Sequence, residues 1–209
     1  MAILTVSRLY GSGGSEVAAI VAKALGWSLF DNAVVDAVAA RLGLSVAEVQ
    51  AREERVPSLV ERLTSAMAMG SQEWMSPIAD ARRPTDEQLI EVTRHIIEEA
   101  IARGPLVVVG RGTQEMLAER EDTLHVFCYA PRKALIARTM KREGLTAEEA
   151  ARLVDETNRQ RDQWVRLHWE RDRRSIELYD LSVNTERLGI EGAAQLIVSA
   201  AKSRFGLTR

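Results

Sequence analysis

The sequence predicts an α/β protein: a parallel five-stranded sheet flanked by helices, with a helical insertion and an arginine-rich lid. Three observations carry the prediction. Short apolar or β-branched runs alternate with segments of helical period along the 209 residues. One run, Leu106–Val109, is apolar at every position, as a strand covered on both faces must be. A glycine cluster, Gly11-Ser12-Gly13-Gly14, stands between the first strand candidate and the first helix candidate. The length fits a single domain, 1–209.

Ile3–Val6 is the first strand, and Val17, Ile20, Val21 and Leu25 give the helix that Gly26 closes. Trp27–Phe30 reads as the second strand, and Asp31 or Asn32 can cap a helix through Val34, Val35, Val38 and Leu42. Ser45 and Glu48 have capping-box spacing for another helix. From 57 to 84 the pattern loosens and becomes rich in Met, Ser and Pro, which reads as a helical insertion and connection. There Leu59, Leu63 and Met67 recur at helical spacing before Trp74 and Met75, suiting a homodimer contact, a cover for an acceptor, or packing on the chain's own core.

Thr85-Asp86-Glu87 opens a helix through Leu89, Val92, Ile96, Ile97 and Ile101, and Gly104-Pro105 ends it before the third strand, Leu106–Val109. His125–Tyr129 is the fourth strand, followed by a helix from Pro131 to about Glu143. Thr146 and Glu149 again have capping-box spacing, ahead of the helix that enters the arginine-rich segment. Leu181–Asn184 is the fifth strand, and Ile190 to about Ser203 the closing helix.

Composition narrows the function classes. Hydrophobic residues make up 46% and charged residues 28%, which excludes a disordered or fibrous chain. No apolar run approaches the ~18 residues of a membrane span, and Met1–Ser7 lacks the basic start of a secretory signal, so a cytoplasmic protein without membrane contact is expected. A lone Cys128 and scattered His95, His125 and His168 form no zinc pattern. Cys128 reads as a small buried hydrophobe, and His168 as a lid surface residue. A net charge of −2 offers no general field for nucleic acid, and none is expected as a partner.

The glycine cluster is suited to phosphate. Ser7, Gly11, Ser12, Gly13, Gly14 and Ser15 surround a turn that aims backbone N–H groups and a helix amino terminus at one point, with Ser12 and Ser15 adding hydroxyl donors. A dinucleotide loop is one reading, since Gly11-Ser12-Gly13 begins G-x-G and Asp31 lies twenty residues beyond Gly11. Glu16 holds the place of its third glycine, however, and Arg8-Leu9-Tyr10 lengthens the turn. A mononucleotide P-loop fits better, with Gly13 and Ser15 on the pattern G-x-x-x-x-G-K-[ST], although Arg8 replaces the first glycine and Gly14 the lysine.

The missing lysine requires another cation. Arg8 stands before the loop, and Arg111 follows the third strand between Gly110 and Gly112. The segment 157–174 carries Arg159, Arg161, Arg166, Arg171, Arg173 and Arg174 against three acids. Arg159 and Arg161 are the lid arginines expected over the phosphates, and the more distal ones are expected to stay partly solvated.

Ser7-Arg8 with Gly11–Gly14, then Gly110-Arg111-Gly112, then Tyr179-Asp180-Leu181 and Asn184-Thr185 resemble the cytidylate kinase-like family along nearly the whole chain. The resemblance implies a P-loop nucleoside monophosphate kinase that uses ATP and Mg²⁺, and in this family an S-R-x-x-G-S-G-G loop without the lysine is usual. It implies that Arg111 grips the acceptor phosphate, that Ser15 matches the Mg²⁺-binding hydroxyl, and that Asp31 opens the acceptor site, a position equally suited to a helix cap. The expected function is ATP-dependent phosphoryl transfer to a nucleoside monophosphate, CMP-like by this resemblance. The residues also suit a nucleotide-binding or sensory module without turnover, or a kinase of another small hydroxylated acceptor.

Overall fold

The computed structural model describes residues 1–45 and 85–207. The Ser45–Glu48 capping box and the insertion at 57–84, with its dimer or acceptor-covering role, lie outside the described residues. The described strands are β1 (Ile3–Arg8), β2 (Ser28–Phe30), β3 (Leu106–Val109), β4 (Thr123–Tyr129) and β5 (Leu181–Asn184). They form one parallel sheet in the order β2-β3-β1-β4-β5. The described helices are α1 (Gly14–Leu25), α2 (Asn32–Leu42), α3 (Asp86–Arg103), α4 (Thr113–Met116), α5 (Arg132–Glu143), α6 (Ala147–Trp169) and α7 (Thr185–Phe205).

Both faces of the sheet are covered. Val17, Ala18, Val21 and Ala22 of α1 pack with Ala193, Ala194 and Ile197 of α7 on Leu4, Val6, Val107, Val109 and Val126. The opposite face, Ile3, Leu106 and Val108, receives Ile97, Ala100 and Ile101 of α3. Registers such as Val6 opposite both Val109 and Val126 bring all carboxyl ends to one edge, where ligands of such sheets bind.

Local signals work as their chemistry demands. Thr85 accepts from the Gln88 N–H while the Gln88 side chain accepts from the Thr85 N–H, and Thr146 and Glu149 do the same at the start of α6. Gly26 closes α1 in the left-handed conformation. The boundaries that differ most from expectation are these. β1 runs on to Arg8, because β4 continues beside it to Cys128, so the phosphate turn is shorter than the sequence implied. β4 starts two residues earlier, at Thr123. α7 begins at Thr185 with Asn184 as its cap and is interrupted at Gly189 (φ 71°, ψ 173°), so Ile190 opens its second part.

Segment 157–174 is not a separate element. Thr157–Trp169 is the second half of α6, whose first half starts at Ala147. Glu170, in the left-handed conformation, ends that helix, and a short connection leads to a 3₁₀ turn at Ile176–Leu178.

Candidate active site

β1 ends in Ser7 and Arg8, and the chain turns through Leu9, Tyr10 and Gly11 into α1. Gly11 (φ 80°) and Gly13 (φ 76°) have backbone angles that side chains oppose, and there is no room for side chains either. A Cβ on Gly11 would stand 2.6 Å from the Leu135 carbonyl oxygen, and one on Gly13 would clash with Ile190 Cδ1.

The turn is held from behind by late parts of the chain. The Ser12 carbonyl accepts from Thr185 Oγ1 at 2.7 Å and from Arg138 Nη1 at 2.9 Å, and Arg138 also donates to the Thr185 hydroxyl and carbonyl. The Tyr10 N–H donates to Asn158 Oδ1 of α6 at 2.9 Å. Ser12 is wholly buried in this arrangement, its hydroxyl without a hydrogen-bond partner and outside the lining of the hollow before the loop. The carbonyl of Ser12 carries its structural work instead.

In front of the sheet edge lies a cleft of about 550 Å³ lined by Ser7, Arg8, Ser15, Asp31, Arg111, Gln114, Arg142, Arg161, Trp164 and Arg173, among others. A smaller hollow before Gly11, Gly13, Gly14 and Ser15 adjoins it and shares Arg8, Arg142 and Arg161. Arg8 spans from β1 toward Asp31, whose Oδ1 is 3.7 Å from its Nη2. Asp31 occupies the cap position of α2 but makes no side-chain cap hydrogen bond, and its carboxylate faces Arg8. Arg111 (φ 64°) is a non-glycine residue in the left-handed region, flanked by Gly110 (φ 73°) and Gly112 (φ 64°), a costly geometry of the kind retained at functional sites. Gly112 is required for a second reason, because a Cβ there would meet the Trp169 ring at 2.5 Å.

Arg159 is not brought to this cleft. It bonds Glu156 and Gln163 and faces a separate groove with Arg132, Asp155 and Arg166. Two residues along a helix turn the side chain by about 200°, so Arg159 and Arg161 cannot share a face. Arg173, expected to be partly solvated, is 5% exposed. Its Nη1 donates to the Arg8 carbonyl at 2.9 Å and its Nε to Asp162 Oδ1 at 2.8 Å, and its own carbonyl accepts from the Tyr179 hydroxyl at 2.7 Å. Burial pulls the Arg173 guanidinium down and pushes the Tyr179 hydroxyl up to about 12. The side chain of His168 is also buried rather than on the surface, its ring 4.2 Å from that of Trp164.

Ser7 donates to Gln114 Oε1 at 2.9 Å. Gln114, Arg138, Arg142 and Tyr10 escaped sequence reasoning, and Arg173 entered it only as a distal, partly solvated arginine of segment 157–174. Arg142 shares the last turn of α5 with Lys141, and nothing local separates the two. Among the described residues no cluster of three or more His, Cys, Asp or Glu could cage a metal. No described helix is long and apolar enough to cross a membrane.

A parallel sheet with β1 central, a glycine turn leading into a helix and a cationic cleft at the carboxyl edge define a P-loop kinase fold. The shikimate kinase of Bacteroides thetaiotaomicron shares it, with a TM-score of 0.54 at 13% identity over 99% of both chains. An uncharacterised protein of Eubacterium ventriosum superimposes with a TM-score of 0.70 at 17% identity, covering 97% of this chain and 99% of its own. The chain belongs to the cytidylate kinase-like family, whose model matches residues 3–187. A cytidylate kinase of Ignicoccus hospitalis is 28% identical over 200 residues, 94% of this chain and 97% of that protein.

Proposed function

We propose that this protein transfers a phosphoryl group from ATP to a nucleoside monophosphate, with a CMP-like acceptor. The observation that carries the reading is the meeting of Arg8, Arg111, Arg142 and Arg161, from four separate parts of the chain, in one cleft beside the glycine loop. Phosphoryl transfer needs positioning and charge more than a strong base, and fixed guanidinium groups supply both. Arg8, Arg142 and Arg161 face the donor's phosphates, Arg111 the acceptor phosphate, and Asp31 orients the acceptor while steadying Arg8. Arg159 takes part only through a movement of α6 that turns it toward the phosphates.

Ser15, with Asp31 across the cleft, suits Mg²⁺, which is commonly held by one or two protein oxygens together with substrate phosphates. Bound there, the ion would neutralise charge on the transferring group. The segment 157–174 covers the cleft, and its arginines draw inward when a nucleotide arrives. The protein acts in the cytoplasm on free nucleotides.

A coupled ADP-release assay with ATP, Mg²⁺ and a panel of nucleoside monophosphates, with shikimate and gluconate alongside, tests the reading. Turnover greatest with a pyrimidine monophosphate is the expected result. Turnover only with a non-nucleotide hydroxyl compound moves the protein to another acceptor class, and ATP binding without turnover makes it a binding module.

A further inference from the structure

Tyr10, in the middle of the glycine loop, contacts two other elements at once. Its N–H is fixed by Asn158, whose own amide donates to the Val154 carbonyl at 2.9 Å, so the residue is anchored to the body of α6. Its hydroxyl donates to Glu143 Oε1 at 3.2 Å. The Arg142 guanidinium lies 4.8 Å from the Tyr10 ring centroid and that of Arg161 lies 5.6 Å from it. Both fall within the ~6 Å over which an aromatic ring attracts a cation.

We propose that Tyr10 is a positioning residue whose ring holds the Arg142 and Arg161 guanidinium groups together before the phosphate loop, concentrating there the positive charge that a P-loop lysine would bring. Two guanidinium groups held at one ring repel each other, and each loses rotamer freedom when held. The ring's negative face offsets part of the repulsion, and the Glu143 carboxylate, 2.7 Å from Arg142 Nε, offsets more. Both arginines border the hollow in front of Gly11, Gly13, Gly14 and Ser15, so incoming phosphate oxygens meet them already gathered. The use made of this charge rests on the phosphotransferase reading, whereas the gathering itself does not.

The test uses the full chain and Tyr10→Leu and Tyr10→Phe variants, with two readouts that need no turnover. In calorimetry, Tyr10→Leu should weaken Mg-ATP binding about tenfold, while Tyr10→Phe, which keeps the ring and loses the hydroxyl, should stay within about threefold. In NMR, the side-chain signals of Arg142 and Arg161, assigned through Arg142→Lys and Arg161→Lys, should be shifted upfield by the ring in the wild type and in Tyr10→Phe. They should return to ordinary positions in Tyr10→Leu. Equal ATP affinity in wild type and Tyr10→Leu, or no upfield shift in the wild type, overturns the proposal. Tyr10→Phe binding as weakly as Tyr10→Leu assigns the effect to the hydroxyl and overturns it too. Should Tyr10→Leu fail to fold, the wild-type shifts and the Tyr10→Phe affinity decide. A wild type that binds ATP and phosphorylates nothing defeats the phosphotransferase reading alone.

Discussion

The Cβ that Gly14 lacks would stand 2.5 Å from the Cβ of Arg8, with Cys128 Cβ at 3.2 Å. Position 14 is where a P-loop carries its lysine, and here the stem of Arg8 occupies the space in which that side chain would start. Gly14→Ala should therefore cost about 1–3 kcal/mol from overpacking alone. Gly14→Lys should cost more and should not raise turnover. Calorimetric melting and the coupled assay check this, and a Gly14→Lys protein with wild-type melting and faster turnover would show that Arg8 yields easily.

Arg111 holds a backbone angle that glycine adopts without strain. Arg111→Gly should melt no lower than the wild type, since relief of strain is worth about 1 kcal/mol. Turnover should fall at least about tenfold, the loss expected for one removed phosphate contact. Paired melting curves and kcat/KM values separate these effects, and unchanged turnover would leave Arg111 an ordinary turn residue.

Gly13→Val combines a forbidden backbone angle with a clash against Ile190 Cδ1. Nucleotide binding should disappear. Adding Ile190→Ala removes the clash and leaves the angle, so melting temperature should recover in part while binding stays lost. Restored ATP affinity in the double variant would mean that the loop tolerates a side chain at position 13.

Thr185→Val deletes the hydroxyl that donates to the Ser12 carbonyl and accepts from Arg138. A cost of about 1–2 kcal/mol is expected, with weaker ATP binding because the loop loses a rear support. Thr185→Ser keeps the hydroxyl and should behave as the wild type in both respects. Equal affinity in Thr185→Val would separate the support from the loop's function.

Burial pushes the Cys128 thiol up to about 12 from its ordinary 9.0, against a smaller opposing pull from the Arg8 charge. Through that interval the folded chain keeps a proton that the unfolded chain has released. The stabilisation is therefore complete below about 9 and declines as pH rises toward about 12. At pH 8 a disulfide reagent should label Cys128 only as fast as the protein unfolds. Rapid labelling of the folded protein would mean an accessible thiolate.

The sheet was legible because its strands announce themselves locally. Leu106–Val109 is apolar throughout and is buried throughout, and Thr146 with Glu149 forms both hydrogen bonds that its spacing suggests. The site was legible only where a local motif bears the chemistry, as at Gly11–Ser15 and Gly110–Gly112. The places of Arg142 and Arg173 were not legible, because the Tyr10 ring and the Arg8 carbonyl that they meet lie in other parts of the chain and no local pattern points across the fold. Helical period alone puts Arg159 and Arg161 on different faces of α6. At Ser12 the serine suggests a hydroxyl for a ligand, and no local pattern announces that its backbone carbonyl accepts from Arg138 and Thr185 far along the chain.

The rear support of the glycine loop bears on the order in which the protein acquires its competence. Leu9–Gly13 is synthesised well before the two groups that grip the Ser12 carbonyl, which come 126 and 173 residues later. While those residues are being added, the nascent chain carries the glycine loop without the contacts that shape it. Closing so long a span is also an entropically demanding step in folding. ATP affinity should consequently arise near the end of folding, when α7 docks beside α1, and a chain stopped before Thr185 should hold the residues of the loop without its function.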